Sequence, residues 1–78
     1  MYSALDVAQY AISRSNRAGA ISNLKLQKVL YFIQAEFLVV QDAPCFAEQI
    51  EAWDFGPVVP VVYYRYRIYG GAAIPLLQ

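Results

Sequence analysis

The segment of residues 23–41 restricts the fold more than any other feature, because as a helix it is apolar on two opposite sides. At about 100° per residue, one broad apolar face and one narrower apolar strip run along it. The broad face holds Leu26, Val29, Leu30, Ile33, Phe37 and Val40, and the narrow strip holds Leu24, Tyr31, Ala35 and Leu38. Ser22 is a candidate N-cap for this helix. A helix that is apolar on two sides packs on two sides, so we predict that it is the central helix of the fold.

A first helix is predicted to begin after Ser3. Ser3 and Asp6 resemble a capping box, in which the serine oxygen accepts a first-turn backbone N–H. Its apolar residues recur at helical spacing and lie on one side of the helix. They are Ala4, Leu5, Val7, Ala8, Ala11 and Ile12. Asn16 and Gly19 are stop signals, so the helix is expected to fray over residues 15–19. Its single apolar side predicts packing on one face of the second helix.

Residues 42–57 are predicted to be mostly non-helical. The sequence DAP at residues 42–44 breaks the second helix, because proline cannot continue it. Residues 46–55 alternate closely enough for a short strand or extended segment, for which no partner strand is evident. Gly56-Pro57 is a turn signal. The predicted fold class is therefore mainly α: a small helical domain with about three helices, a central second helix and a short extended or β segment before the third.

A third helix is predicted to begin near Pro57 or Pro60 and to end at Gly70. Its core-facing side is expected to carry Val59, Val62, Tyr66 and Tyr69. A second stripe consists of Val61, Arg65 and Ile68, with Tyr64 and Arg67 beside it. Tyrosine and arginine are the residue types that often dominate interface energies. We expect another part of the fold, a second copy or a partner protein to cover this stripe, because one core face cannot.

The composition limits the partners and the cellular compartment. Six basic and six acidic residues give a net charge of zero, so no long-range field steers the chain onto nucleic acid or an anionic membrane. Cys45 is the single cysteine, which fits a reducing compartment. No basic n-region of a signal peptide and no apolar stretch of the ~20 residues that span a bilayer are present. We therefore expect one cytoplasmic domain without a membrane partner.

The sequence does not predict an enzyme. Histidine is absent, so general acid–base work would fall to carboxylates, and Cys45 would have no histidine as its base. Glu48, Glu51 and Asp54 are close in sequence, but they are typical of a solvated loop edge. No spacing of the kind that ligates zinc is present. We predict no catalytic residue, no metal and no cofactor.

Nucleic-acid binding is an alternative that the sequence leaves open. Residues 63–69 interleave tyrosine with arginine, which is a pattern that can stack on bases. Arg14 and Arg17 lie near the connection between the first two helices, but that connection is longer than the usual helix-turn-helix turn. Two arginines on each element neutralise few phosphates. A prophage DNA-binding regulator using Arg14, Arg17, Arg65 and Arg67 is therefore the rival hypothesis rather than the main one.

Two runs resemble the signature blocks of the Panacea/SocA-like antitoxin family, in its N-terminal portion. They are LKLQKVLYFIQ at residues 24–34 and IEAWDFGPVVPVVYYRYRIYG at residues 50–70. Members are known mainly as prophage-encoded and chromosomal antitoxins of toxin–antitoxin systems. The resemblance implies a mainly helical fold with a small β element. It also implies that residues 1–78 form a single domain of this family that lacks the family's C-terminal helical segment.

The resemblance further implies a protein-interaction module that neutralises a cognate toxin by direct binding, in one well-known case as an adaptor that delivers the toxin to a protease. A structural dimerisation fragment that forms a homo-oligomer is another alternative. The motif positions expected to be structural are Leu26, Leu30, Tyr31, Phe32, Trp53, Gly56, Pro57, Val59, Tyr63 and Tyr69. The positions expected to bind the partner are Val61, Tyr64, Arg65, Arg67, Ile68, Gln27 and Lys28.

Overall fold

The computed structural model describes residues 1–15 and 20–75, which form three α-helices and one β-hairpin. The elements in chain order are α1 (Ala4–Ser15), α2 (Asn23–Val40), β1 (Glu51–Trp53), β2 (Gly56–Val58), α3 (Pro60–Tyr66) and a 3₁₀-helix (Arg67–Tyr69). The three predicted helices are present, but the short extended segment before the third helix does not stand alone. That segment is one strand of a two-stranded antiparallel sheet.

Helix α1 begins as its capping residues predict. The Ser3 Oγ accepts a hydrogen bond from the Asp6 backbone N–H at 3.1 Å. The buried side of the helix carries Ala4, Val7, Ala8, Ala11 and Ile12. Of the predicted fraying region, Ser15 is the last helical residue and residues 16–19 lie outside the described residues. The apolar side of α1 contacts both α2 and α3.

Helix α2 is central, as predicted, because it contacts α1, α3 and β2. The Ser22 Oγ accepts from the Lys25 backbone N–H at 3.3 Å and caps the helix. Leu26 and Leu30 on its broad apolar face are fully buried, with Val29, Ile33 and Phe37 partly buried beside them. Val40 was expected on this face but is 61% exposed.

The narrow apolar strip of α2 is not covered by the described residues. Leu24, Tyr31 and Leu38 are all exposed, and only Ala35 is half-buried. The expectation that α2 packs on two sides is therefore wrong for this part of the chain, in which the helix is buried on one side only. The hydrophobic core lies between α1, the buried side of α2 and α3.

The hairpin corrects the predicted position of the turn. Trp53 pairs with Gly56, so Asp54 and Phe55 form the turn and Gly56-Pro57 begin the second strand. Gly56 has φ +124, a region that side-chain-bearing residues rarely adopt and that glycine adopts at little cost. Pro57 lies opposite Ala52 in β2, where a two-stranded sheet tolerates a residue without an N–H donor. The predicted strand without an evident partner is β1, and it pairs with β2, which begins at Gly56.

Helix α3 begins at Pro60, the later of the two predicted positions, and continues as a 3₁₀-helix that ends at Gly70. Gly70 has φ +58, which suits its predicted C-terminal role. Val59, Val62 and Tyr66 are buried against the core, as expected. Within the described residues, no helix is both long enough and apolar enough to cross a membrane.

Two backbone hydrogen bonds attach the ends of the described chain to the helical core. The Tyr2 N–H donates to the Cys45 carbonyl at 2.8 Å, and the Ile74 N–H donates to the Ile21 carbonyl at 2.9 Å. Ile74 is almost completely buried. Ile74 is therefore part of the packed structure, which the short apolar sequence of this segment alone did not predict.

Candidate functional site

The outward side of α3 and its 3₁₀ extension carries an apolar and basic surface. Val61, Tyr64 and Ile68 are 44%, 53% and 84% exposed. Arg65 and Arg67 are exposed on the same two elements. These five residues form the α3 surface. Because the opposite side of the helix packs on α1 and α2, these side chains are available for another contact.

The hairpin extends the α3 surface with an aromatic cluster of Trp53, Phe55, Tyr63 and Tyr64. The ring centroids of Trp53 and Tyr63 are 5.1 Å apart, and those of Trp53 and Phe55 are 5.7 Å apart. Tyr63 and Tyr64 are in edge contact at 5.6 Å. Such pairs stabilise each other by about 0.5–1.5 kcal/mol beyond their buried area, so the cluster is a preformed surface.

Arginine side chains at this surface lie over aromatic rings. The Arg67 Cζ is 5.1 Å from the centroid of Tyr64, and the Arg65 Cζ is 5.6 Å from that of Tyr66. A guanidinium that stacks on a ring keeps its N–H donors free at the edge of the plane. Both arginines can therefore donate to carboxylates of a partner while they remain ordered by the rings.

A cleft of about 320 Å³ adjoins the aromatic cluster. Its apolar walls come from three elements, with Leu24 at the start of α2, Phe55 in the hairpin turn and Tyr63 in α3. Arg67 also lines it, with the small or polar residues Ser22, Asn23, Gly70 and Gly71. This mixture of apolar and basic side chains can receive an apolar side chain that has a carboxylate beside it.

The family model described as "Antitoxin SocA-like, Panacea domain" matches residues 26–76. The chain belongs to the SocA-like Panacea family. Among curated relatives, Antitoxin SocA of Caulobacter vibrioides (strain NA1000 / CB15N) is 58% identical over 43 residues, which are 55% of this chain and 23% of that protein. The chain thus spans about a quarter of the length of that relative. No solved structure matches the chain.

The Panacea-family motif residues divide into three environments. Leu26, Leu30 and Val59 are fully buried in the core. Five further motif residues are half-buried in or near the hairpin and α3. They are Trp53, Gly56, Pro57, Tyr63 and Tyr69. Tyr31 and Phe32 were expected to be structural, but both are exposed, and Phe32 is 67% exposed. They contact each other at 5.5 Å on the uncovered side of α2.

Gln27 was expected at the partner-binding surface, but it is only 1% exposed. Its Oε1 accepts from the Val59 N–H at 2.9 Å, and its Nε2 donates to the Asn23 Oδ1 at 2.9 Å. The Asn23 Nδ2 in turn donates to the Tyr63 carbonyl at 3.0 Å. A glutamine whose buried polar atoms bond within the chain cannot contact a partner, so Gln27 holds α3 on α2 instead.

Lys28, the other polar candidate of α2, is exposed. Its Cε lies 3.8 Å from the position that a Cβ on Gly56 would occupy, which places the lysine beside the hairpin. Its aliphatic chain can cover the hairpin backbone while the ammonium group stays in water. Its predicted contact with a partner remains a prediction.

Two further polar residues have structural roles that sequence reasoning missed. The Gln34 Oε1 accepts from the N–H groups of Cys45 and Phe46 at 2.7 and 3.3 Å, and its Nε2 donates to the Phe46 carbonyl at 2.8 Å. The Glu48 Oε2 accepts from the Ala4 N–H at 3.2 Å at the start of α1. Gln27 and Gln34 are seven residues apart on one flank of α2, which is a sequence signal for this shared role.

The titratable groups of the described residues form no reactive constellation. Burial raises the pKa of the Cys45 thiol, and the nearby N-terminal ammonium lowers it by less, so the thiol is protonated at neutral pH. Glu51 accepts from the Trp53 Nε1 at 2.8 Å. Within residues 1–15 and 20–75, no group of three or more His, Cys, Asp or Glu side chains could hold a metal ion.

The arginines of the nucleic-acid alternative do not share one element. Arg14 is on α1, where its guanidinium donates to the Tyr10 hydroxyl at 3.2 Å. Arg65 and Arg67 belong to α3 and the 3₁₀-helix. Arg17 lies outside the described residues. The described part of the chain therefore presents no single basic helix of the kind that enters a DNA groove.

Proposed function

We propose that this Panacea-family chain is an antitoxin module that binds a cognate toxin directly through the α3 surface, without a catalytic step. The α3 surface supports this proposal because Val61, Tyr64 and Ile68 stay exposed beside two arginines while the other side of α3 forms the core. The similarity to a curated antitoxin gives the class of partner. The proposed toxin contact consists of the α3 surface and the adjoining aromatic cluster.

The chemistry of this contact supports specific binding. Fully burying an isoleucine or similar apolar side chain contributes about 1.5–3 kcal/mol, and Ile68 and Val61 are both available for burial. Tyr64 and Arg67 add the aromatic and guanidinium groups that are enriched among residues dominating interface energies. Because Arg67 lines the cleft, we expect the toxin segment that enters it to carry at least one carboxylate.

We propose that binding through the α3 surface neutralises the toxin in one of two ways. The module can cover the toxin's working surface, or it can present the toxin to a protease as an adaptor. The lifetime of the toxin in cells that express the module separates the two. A shortened lifetime that returns to normal when the α3 surface is altered supports the adaptor role, and an unchanged lifetime supports blockage.

The binding test compares two substitutions of equally exposed apolar residues. Ile68 and Val39 are each 84% exposed, and Val39 lies on α2 away from the α3 surface. We expect Ile68→Asp to weaken binding to the growth-arresting product of a neighbouring gene by at least about tenfold, because a buried carboxylate loses its hydration. Val39→Asp should bind as the unaltered chain does. Titration calorimetry measures the affinities, and far-UV circular dichroism checks the helical content.

Two results would contradict the proposed surface. Equal affinities of both variants and the unaltered chain would mean that the toxin does not contact Ile68. Loss of helical content together with binding in Ile68→Asp would mean that Ile68 supports the fold. The conservative variant Ile68→Leu should bind as the unaltered chain does under both results. It is the control for changes that arise from handling the protein.

A further inference from the structure

The side of α2 that faces away from the core carries a row of exposed residues centred on Phe32. With about 100° per residue, the row falls within roughly 40° of one line along the helix. It consists of Lys25, Lys28, Phe32, Glu36 and Val39, all of them exposed. Phe32 and Val39 are 67% and 84% exposed. This row is the α2 outer face, and it lies opposite the buried Leu26 and Leu30.

The order of residues on the α2 outer face is self-complementary in the antiparallel direction. Lys28 precedes Phe32 by four residues and Glu36 follows it by four, about 6 Å along the helix in each direction. If a second α2 lies antiparallel across a two-fold axis at Phe32, its Glu36 falls beside Lys28 and Lys25 of the first. The same pairing forms a second time by symmetry. Charges on this face thus attract in the antiparallel arrangement and repel in the parallel one.

An apolar cleft lies beside the centre of this face. It has a volume of about 350 Å³ and is lined by Val29, Phe32, Ile33, Glu36 and Phe37. Four of its five lining residues are apolar, so it suits an aromatic ring rather than a polar group. Phe32 is itself one of the lining residues. Two copies related by the two-fold axis at Phe32 can each place the Phe32 ring in the cleft of the other.

We propose that the α2 outer face is a dimer interface, in which two copies of this chain pair antiparallel along α2. The net charge of the chain is zero, so no overall electrostatic repulsion opposes this association. The interface covers the side of α2 that the described residues leave bare. It is separate from the α3 surface, so a dimer would present two toxin sites. The inference therefore goes beyond the proposed toxin binding and does not depend on it.

Sedimentation equilibrium over a concentration series tests the dimer directly. We expect the weight-average mass of the chain to rise from 8.8 kDa toward twice that value between roughly 10 μM and 1 mM. Phe32→Asp should stay at the monomer mass throughout, because it places a carboxylate at the centre of the apolar contact. A monomer mass at every concentration, or the same rise in Phe32→Asp, would overturn the proposal.

A charge reversal tests the antiparallel pairing. We expect Glu36→Lys to weaken the association by about tenfold, because it replaces two symmetric attractions with repulsions. The full reversal, with Lys25→Glu and Lys28→Glu added to Glu36→Lys, should recover the original association to within about threefold. These changes place acidic residues in the first half of α2 and a basic one in the second, which suits the helix dipole. A full reversal that remains monomeric would exclude this arrangement.

The two proposals fail separately in these experiments. Ile68→Asp should keep the dimer and lose toxin binding, while Phe32→Asp should lose the dimer and keep toxin binding. If Phe32→Asp also loses toxin binding while it keeps its helical content, the α2 outer face contacts the toxin and the dimer assignment is wrong. If the unaltered chain is monomeric but binds the toxin, only the dimer proposal falls.

Discussion

Replacing Gln27 with methionine tests whether this residue holds the fold together. Methionine has a similar shape but lacks both polar atoms, so the Val59 N–H and the Asn23 Oδ1 lose their hydrogen-bond partner. Each buried group left without a partner costs about 1–3 kcal/mol. We therefore expect the two orphaned groups together to lower the free energy of unfolding by about 2–6 kcal/mol. That is a large share of the total for a domain of this size, since stability is roughly 0.05–0.15 kcal/mol per residue.

Urea unfolding, monitored by circular dichroism, measures this loss of stability. Gln41 provides the matched control. Gln41 follows Gln34 by seven residues at the end of α2, as Gln34 follows Gln27, but its side chain is exposed. Gln41→Met should change the free energy of unfolding by less than about 0.5 kcal/mol. If the two variants were equally stable, the buried hydrogen bonds would not hold α3 on α2. If Gln27→Met were as stable as the unaltered chain but failed to bind the toxin, Gln27 would be a binding residue.

Two further predictions concern stability. Glu48→Ala removes the carboxylate that accepts from the Ala4 N–H at the positive end of α1. Thermal unfolding should therefore show a loss of stability of about 1 kcal/mol. Equal stability of the variant and the unaltered chain would contradict this capping role. The pKa of the Tyr66 hydroxyl is raised, mainly by burial and to a smaller extent by Tyr69, and these two causes together outweigh the lowering by the Arg65 charge and the Gln9 hydrogen bond. The folded chain therefore keeps a proton that the unfolded chain releases, and stability that is fully present below the ordinary tyrosine value of about pH 10 is lost as the pH rises through the folded value. Urea midpoints between pH 9 and 11 should fall less in Tyr66→Phe than in the unaltered chain, and an equal fall in both would contradict this source of pH dependence.

Local signals predicted the helices well because the information lies within a few residues. Ser3 and Ser22 cap the first two helices by hydrogen bonds that span only three positions. The apolar spacing of α1 and the buried side of α2 also follow directly from the helix period. The helix period correctly predicted an apolar strip on the exposed side of α2. The prediction that this strip is covered was wrong for the described residues, because a period shows which residues are apolar and not what lies against them.

The hairpin and the aromatic cluster depended on contacts that sequence spacing does not show. Gly56 and Pro57 are common turn residues, and only the pairing of Trp53 with Gly56 shows that the turn comes two residues earlier. Phe55 joins Tyr63 because the hairpin folds back onto α3. The burial of Gln27 follows from a bond to Val59, which is 32 residues away. Such partners are fixed by tertiary packing and leave no periodic signal.

Growth rescue tests the central claim most directly, in cells that express a neighbouring gene whose product arrests growth. Three forms of the chain should be compared at equal expression: the unaltered chain, Ile68→Asp and Val39→Asp. Toxin binding through the α3 surface predicts that the unaltered chain and Val39→Asp restore growth and that Ile68→Asp does not. Rescue by a folded Ile68→Asp equal to that of the unaltered chain would contradict the α3 surface, and failure of all three folded forms would contradict the antitoxin function itself.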